Sequence, residues 1–121
     1  MVLARLFAES RSPPDAFWFK DLISSRLLEY EVFNRVHARG AGRSHAADAS
    51  HLVGRVSLLE MSPRVLGRAL LPFPLPVRAL DALHLATMDF LHGQGQTIEL
   101  ATYDHRLAVA AKMLGFPLTQ F

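Results

Sequence analysis

The 121-residue chain contains no cysteine. That excludes a disulfide framework, a thiol nucleophile and any thiolate-ligated zinc site, and it suits a reducing cytoplasm. No apolar run approaches the roughly 18 residues needed to span a bilayer. The opening MVLARLFAES is interrupted by Arg5 and offers no clean small-residue cleavage site, so no signal peptide is read and a soluble cytoplasmic protein without a membrane partner is expected. Glycine-rich dinucleotide turns, phosphate loops, an HExxH helix and a Ser/His/Asp set are all absent, which removes most enzyme classes. Charge of one sign is also scarce: the formal net charge is +2, with the basic residues mostly arginine. This permits a nucleic-acid partner, although arginine richness is equally explained by a GC-rich genome.

What is present fits a single domain over residues 1–121, large enough for a core without disulfides or a structural metal. Met1 to Ala8 reads as a short helix, ended by the turn ESRSPPD, whose paired prolines cannot continue it. An apolar piece around Ala16 to Ile23 reads as a strand ending near Ile23. Ser24 or Ser25 then serves as N-cap for a helix to about Ala38, with Leu28, Val32 and Val36 as its apolar stripe and Gly40 and Gly42 as its end. A helix over Ser44 to Arg55, a strand over Val56 to Met61 and a helix capped by Ser62 with Pro63 in its first position follow. LPFPLPV is an extended, proline-punctuated connection. Strands alternating with helices predict an α/β fold, a parallel sheet flanked by helices on both faces.

Beyond that connection lie two segments that each carry one aspartate in apolar surroundings, Val77 to His92 and Thr97 to Ala108. In the first, a helix, Ala79, Leu83, Ala86 and Phe90 form the stripe expected to face the core. Asp81 sits nearly opposite, on a charged front with Arg78, His84, Asp89 and His92. In the second, Asp104 ends the apolar run Ile98 to Tyr103, read as a buried strand, and precedes the helix RLAVAAKML closed by Gly115. Acids at the carboxyl ends of strands in open α/β sheets are well placed for function. Each acid also has a plainer role: Asp104 as an N-cap, Asp81 paired with Arg78, and Glu31 paired with Arg35 one helical turn away. If Glu31, Asp81 and Asp104 share one cleft, their mutual repulsion calls for a cation, and carboxylate oxygens suit magnesium or manganese. Such an ion, held by carboxylates and water, is a common device for attacking phosphate esters.

The segments LLEYEVFNR, RALDALHLA and LATYDHRLAVAAKMLG resemble the successive motifs of PIN-domain proteins, specifically the VapC-like toxins of prokaryotic toxin and antitoxin pairs. RALDALHLA followed some 20 residues later by TYDHRL carries most of the likeness, which extends over about residues 1–118. The resemblance implies a PIN-like α/β domain and a Mg2+- or Mn2+-dependent endoribonuclease that hydrolyses RNA phosphodiesters, is silenced by a cognate antitoxin protein and forms a homodimer. By the same resemblance Glu31, Asp81 and Asp104 are the metal-binding and catalytic acids, and Thr102 occupies a hydroxyl position that orients a carboxylate or a water. The family's opening strand, which ends in an aspartate, is missing here, because MVLARLFAE aligns with the helix that follows it. An upstream start of the true reading frame is therefore expected. A catalytically inactive or truncated PIN module, binding only an antitoxin, a partner protein or RNA, is the alternative, since a site short of one acid holds its metal less tightly.

Overall fold

A computed structural model describes residues 13–40 and 42–120, with backbone only for 42–44. The helix read over Met1 to Ala8 lies outside these residues. The described chain is α/β, a small parallel pair of strands with five α-helices among the described residues, an arrangement compatible with a PIN-like fold. It forms two compact units, one ending at Leu59 and one spanning Glu60–Gln120.

The first unit opens with a 3-10 turn, Asp15–Phe19, which buries Phe17 and Trp18 edge to face at 5.2 Å between ring centroids. Strand β1 (Leu22–Ser25) leads into helix α1 (Leu27–Ala38), helix α2 (Gly42–Val53) and strand β2 (Val56–Leu59). The strands pair in parallel, Leu22 opposite Val56 and Ser25 opposite Leu59. Of the apolar piece Ala16 to Ile23, only Leu22 and Ile23 are therefore strand, and the strand continues to Ser25 instead of ending near Ile23. The two serines expected to cap α1 belong to β1, because the ladder claims their backbone, and Ser25 is buried. The helix instead starts behind Arg26, whose N–H donates to the Leu59 carbonyl at 2.9 Å. Val32 and Val36 are buried as the periodicity predicts, and Ala49 and Val53 of α2 are buried as well. Of the two glycines expected to stop α1, Gly40 does so in a left-handed turn at φ +67°, whereas Gly42 already belongs to α2.

In the second unit, helix α3 (Pro63–Ala69) begins as expected: Ser62 Oγ accepts a hydrogen bond from the Val65 N–H, with Pro63 in the first turn. The connection that follows lays Phe73, Leu75 and Val77 against the core and leaves Pro74 and Pro76 exposed, an alternation suited to extended chain. Helix α4 (Ala79–Gly93) and helix α5 (His105–Met113) complete the unit. Leu85, Met88, Leu107, Ala110, Ala111 and Phe116 form its buried core.

Two expectations fail here for identifiable reasons. Of the expected α4 stripe Ala79, Leu83, Ala86 and Phe90, only Ala86 is buried. Ala79 is exposed and Leu83 and Phe90 are half-buried, while the four consecutive residues Leu85 to Met88 are all buried. Four consecutive buried residues span most of a turn, so the middle of the helix has no single apolar stripe for a wheel to find. The strand expected over Ile98 to Tyr103 is reduced to one bridge, Leu100 with Leu118, in which Leu100 N–H donates to the Pro117 carbonyl and Thr119 N–H to the Leu100 carbonyl. The rung on the Ile98 side would need an N–H from residue 117, and proline has none, so the pairing does not extend in that direction.

Candidate functional site

Asp81 and Asp104 are placed by two helix starts. Val77 packs on the core in extended chain and Arg78 is the N-cap of α4 with φ −73° and ψ 158°, so the helix begins two residues later than its periodicity suggests and Asp81 falls in its first turn. Asp104 is the N-cap of α5: its Oδ1 accepts from the Arg106 N–H at 2.9 Å and the Leu107 N–H at 3.2 Å. Both carboxylates therefore sit at the positive ends of helix dipoles, a favourable place for negative charge. The capping role of Asp104 is real, and it occupies only one of the two oxygens.

The remaining oxygens point to a common partner. Arg78 Nε lies 3.8 Å from Asp81 Oδ2, and Arg78 Nη2 lies 3.7 Å from Asp104 Oδ2. One guanidinium thus spans two carboxylates from different helices. The pairing of Arg78 with Asp81 was legible from their spacing, but the second arm, reaching 26 positions along the chain, was not. The Asp104 side chain is held in place from behind as well, since its own backbone N–H donates to Thr102 Oγ1 at 3.0 Å. A hydroxyl two residues before an N-cap acid fixes the turn that aims it.

The backbone before α4 is clamped by arginines at both ends. Arg68 Nε donates to Asp89 Oδ2 at 2.6 Å, its guanidinium lies 4.2 Å from the centroid of the Phe73 ring, and Nη1 reaches the Pro72 carbonyl at 3.5 Å. Arg106 Nη2 reaches the Pro76 carbonyl at 3.4 Å. The sequence reading put Asp89 on a charged front with Arg78. Its partner is instead Arg68, 21 residues away, a separation at which no helical spacing gives a signal.

Glu31 belongs to the first unit, half-buried on α1 beside the buried Val32. Among the described residues no group of three or more histidine, aspartate or glutamate side chains is gathered as a metal cluster. The donor chemistry of the second unit nevertheless fits a hard divalent cation: two carboxylates, with no cysteine sulfur in the chain and only His84 and His105 as imidazoles close to them in sequence, already face a single positive group.

These features define an α/β domain that presents acids from the starts of two successive helices to one cation. Two curated proteins are similar to the chain over most of its length. Ribonuclease VapC46 of Mycobacterium tuberculosis strain H37Rv is 40% identical over 96 residues, covering 77% of this chain and 68% of the relative. Ribonuclease VapC47 of Mycobacterium tuberculosis strain CDC 1551 is 31% identical over 97 residues, covering 80% of this chain and 69% of the relative. No family model matches the chain, and no solved structure matches it. On the strength of these two relatives, the chain belongs to the VapC ribonuclease family.

Proposed function

We propose that this chain is a metal-dependent endoribonuclease, the toxin of a toxin and antitoxin pair, acting on RNA phosphodiesters in the cytoplasm. The observation that carries the reading is that Asp81 and Asp104 share one guanidinium, that of Arg78, in a chain whose relatives are named ribonucleases. Asp81 and Asp104 would hold Mg2+ or Mn2+, and Glu31 is the further acid that the family resemblance assigns to this role. When bound, such an ion makes water a nucleophile near neutral pH and offsets the charge that builds on the attacked phosphate. The protein's own part is orientation. The α5 N-terminus takes one oxygen of Asp104 and leaves the other for the cation, Thr102 fixes the turn that carries it, and the first turn of α4 delivers Asp81 to the same place. A cognate antitoxin as inhibitor, and pairing of two copies of the chain, complete the reading. No described helix is long and apolar enough to cross a membrane.

The test is cleavage of a fluorogenic RNA by the purified chain with Mn2+ and with EDTA, beside the double variant Asp81→Asn, Asp104→Asn. Cleavage should require Mn2+ and fall by about a hundredfold or more in the variant, a transition-state loss of about 3 kcal/mol. A rise in melting temperature on adding Mn2+ without any cleavage would replace the enzyme with a binding module. Absence of both would overturn the site.

A further inference from the structure

The arginine that joins the two acids has an odd combination of properties. Its side chain is 73% exposed, whereas those of Asp81 and Asp104 are 18% and 35% exposed. Both contacts lie between 3.7 and 3.8 Å, close enough for charge attraction but too long for hydrogen bonds, unlike the 2.6 Å bond of Arg68 to Asp89. Among the described residues the Arg78 side chain makes no other polar contact, and its backbone is the extended residue before α4, so the side chain can turn without disturbing the helix. An exposed, long-distance ion pair is weak and easily exchanged. Arg106, by contrast, lies equally near the acids in sequence but directs its guanidinium to the Pro76 carbonyl.

We propose that Arg78 is an exchangeable counter-ion of the Asp81 and Asp104 pair: it neutralises the acids when no divalent cation is there, gives way when one binds, and then serves as a positioning residue for an RNA phosphate. The inference rests on the proposed site and adds a residue to it. Two carboxylates brought together without a cation repel one another, and a guanidinium is the one side chain whose planar fork can address both at once. If the carboxylates held a dication, the guanidinium would be repelled by it while staying tethered through the Arg78 backbone at the start of α4. The anion drawn to that place is the substrate phosphate, and a displaced guanidinium there gives it a second positive contact.

The consequence is a pair of effects of opposite sign, which loss of a merely structural residue does not produce. Removing the charge with Arg78→Gln should tighten Mn2+ binding, because the ion no longer competes with a resident cation, by about two- to fivefold at low salt. The same variant should weaken RNA binding and flatten the dependence of log affinity on log salt by about 0.7, the share of one phosphate contact on a single strand.

The experiment is calorimetric titration of Mn2+ into the full chain, together with fluorescence anisotropy of a labelled single-stranded RNA in Ca2+ over a series of salt concentrations. It compares the natural chain, Arg78→Gln, Arg106→Gln and the double variant Asp81→Asn, Asp104→Asn. Tighter Mn2+ with weaker, less salt-dependent RNA binding in Arg78→Gln, and a smaller Mn2+ effect in Arg106→Gln, is the expected result. Unchanged or weaker Mn2+ binding in Arg78→Gln, while the double variant loses Mn2+, overturns the counter-ion alone. An equal Mn2+ gain in Arg106→Gln overturns it too, since the effect would then be one of net charge. Undiminished RNA affinity in Arg78→Gln overturns the phosphate contact. Mn2+ bound as well by the double variant as by the natural chain overturns the site itself.

Discussion

In the first unit the backbone does most of the organising: β1 and β2 exchange hydrogen bonds along four rungs, the ladder extends to Arg26, and the helices cover it with a simple valine stripe. In the second, the only pairing between extended segments among the described residues is the Leu100 and Leu118 bridge. Order there comes from side chains, namely the Leu85 core, the arginine clamps on the proline segment and the caps of α3 and α5. Backbone pairing leaves little freedom in where a chain lies, whereas side-chain anchoring can be set residue by residue. That is the more useful property where two acids from different helices must be aimed at one point.

The sharpest way to break this contrast is to hollow the second core. Leu85 and Val36 are both completely buried, one in each unit. Leu85→Ala should cost about 3 kcal/mol in denaturant unfolding, through lost transfer free energy and the cavity left behind. Val36→Ala should cost about 1 kcal/mol less, because it removes fewer carbons. Amide exchange read residue by residue should show Leu85→Ala loosening α4 and α5 more than the β1 and β2 rungs. Equal loosening of the ladder would mean that the second unit is not held chiefly by its own side chains.

The same contrast explains what could be read in advance. The valine stripe of α1, Gly40, the Ser62 and Pro63 start of α3 and the glycine end of α5 are local signals, each carried by residues within one or two turns, and each is present. Gly115 stands at φ +91°, its N–H donating to the Lys112 carbonyl, while the Phe116 N–H returns to the Ala111 carbonyl and its ring enters the core. What could not be read depends on partners far along the chain. The serines at the end of β1 look like caps until β2 claims their backbone. The apolar run before Asp104 looks like a strand, yet it pairs only at Leu100, and Pro117 withholds the N–H that would extend the pairing toward Ile98. The α4 wheel misleads because Leu85 to Met88 are all buried, which spreads burial beyond one stripe in the middle of that helix. For the candidate site, the acids and the threonine were visible as motif residues and Asp104 as a cap. The shared guanidinium, which turns two separate acids into a pair, was visible only in part, through the short spacing of Arg78 and Asp81.

A smaller effect should come from the clamp on the proline segment. Arg68 and Asp89 are each less than a third exposed, and their bond is short and charge-assisted. Arg68→Ala removes that bond and the guanidinium above Phe73, and should cost about 2 kcal/mol. Arg68→Lys should recover only part of this, since an ammonium cannot both pair with Asp89 and lie flat on the ring. Amide exchange across residues 73–78 should rise in Arg68→Ala. Full recovery by lysine would reduce the clamp to simple charge attraction and weaken the case that side-chain geometry positions the start of α4.

The least costly change in stability is the one that best separates what Asp104 does for the fold from what it does for the site. Its Oδ1 caps α5 and its Oδ2 faces Arg78. Asparagine offers an equivalent capping oxygen, so Asp104→Asn should leave stability within a few tenths of a kcal/mol, whereas Asp104→Ala should lose about 1 kcal/mol. The facing ion pair adds little to either figure, because Arg78 is largely in solvent. Both variants lose the charge presented to a cation, so both should lose Mn2+ binding in equal measure. Equal stability losses in the two variants would show that the charge itself, rather than the capping geometry, holds the start of α5. Retained Mn2+ binding in Asp104→Asn would mean that this residue only supports the helix and that the acid pair is not where the cation goes.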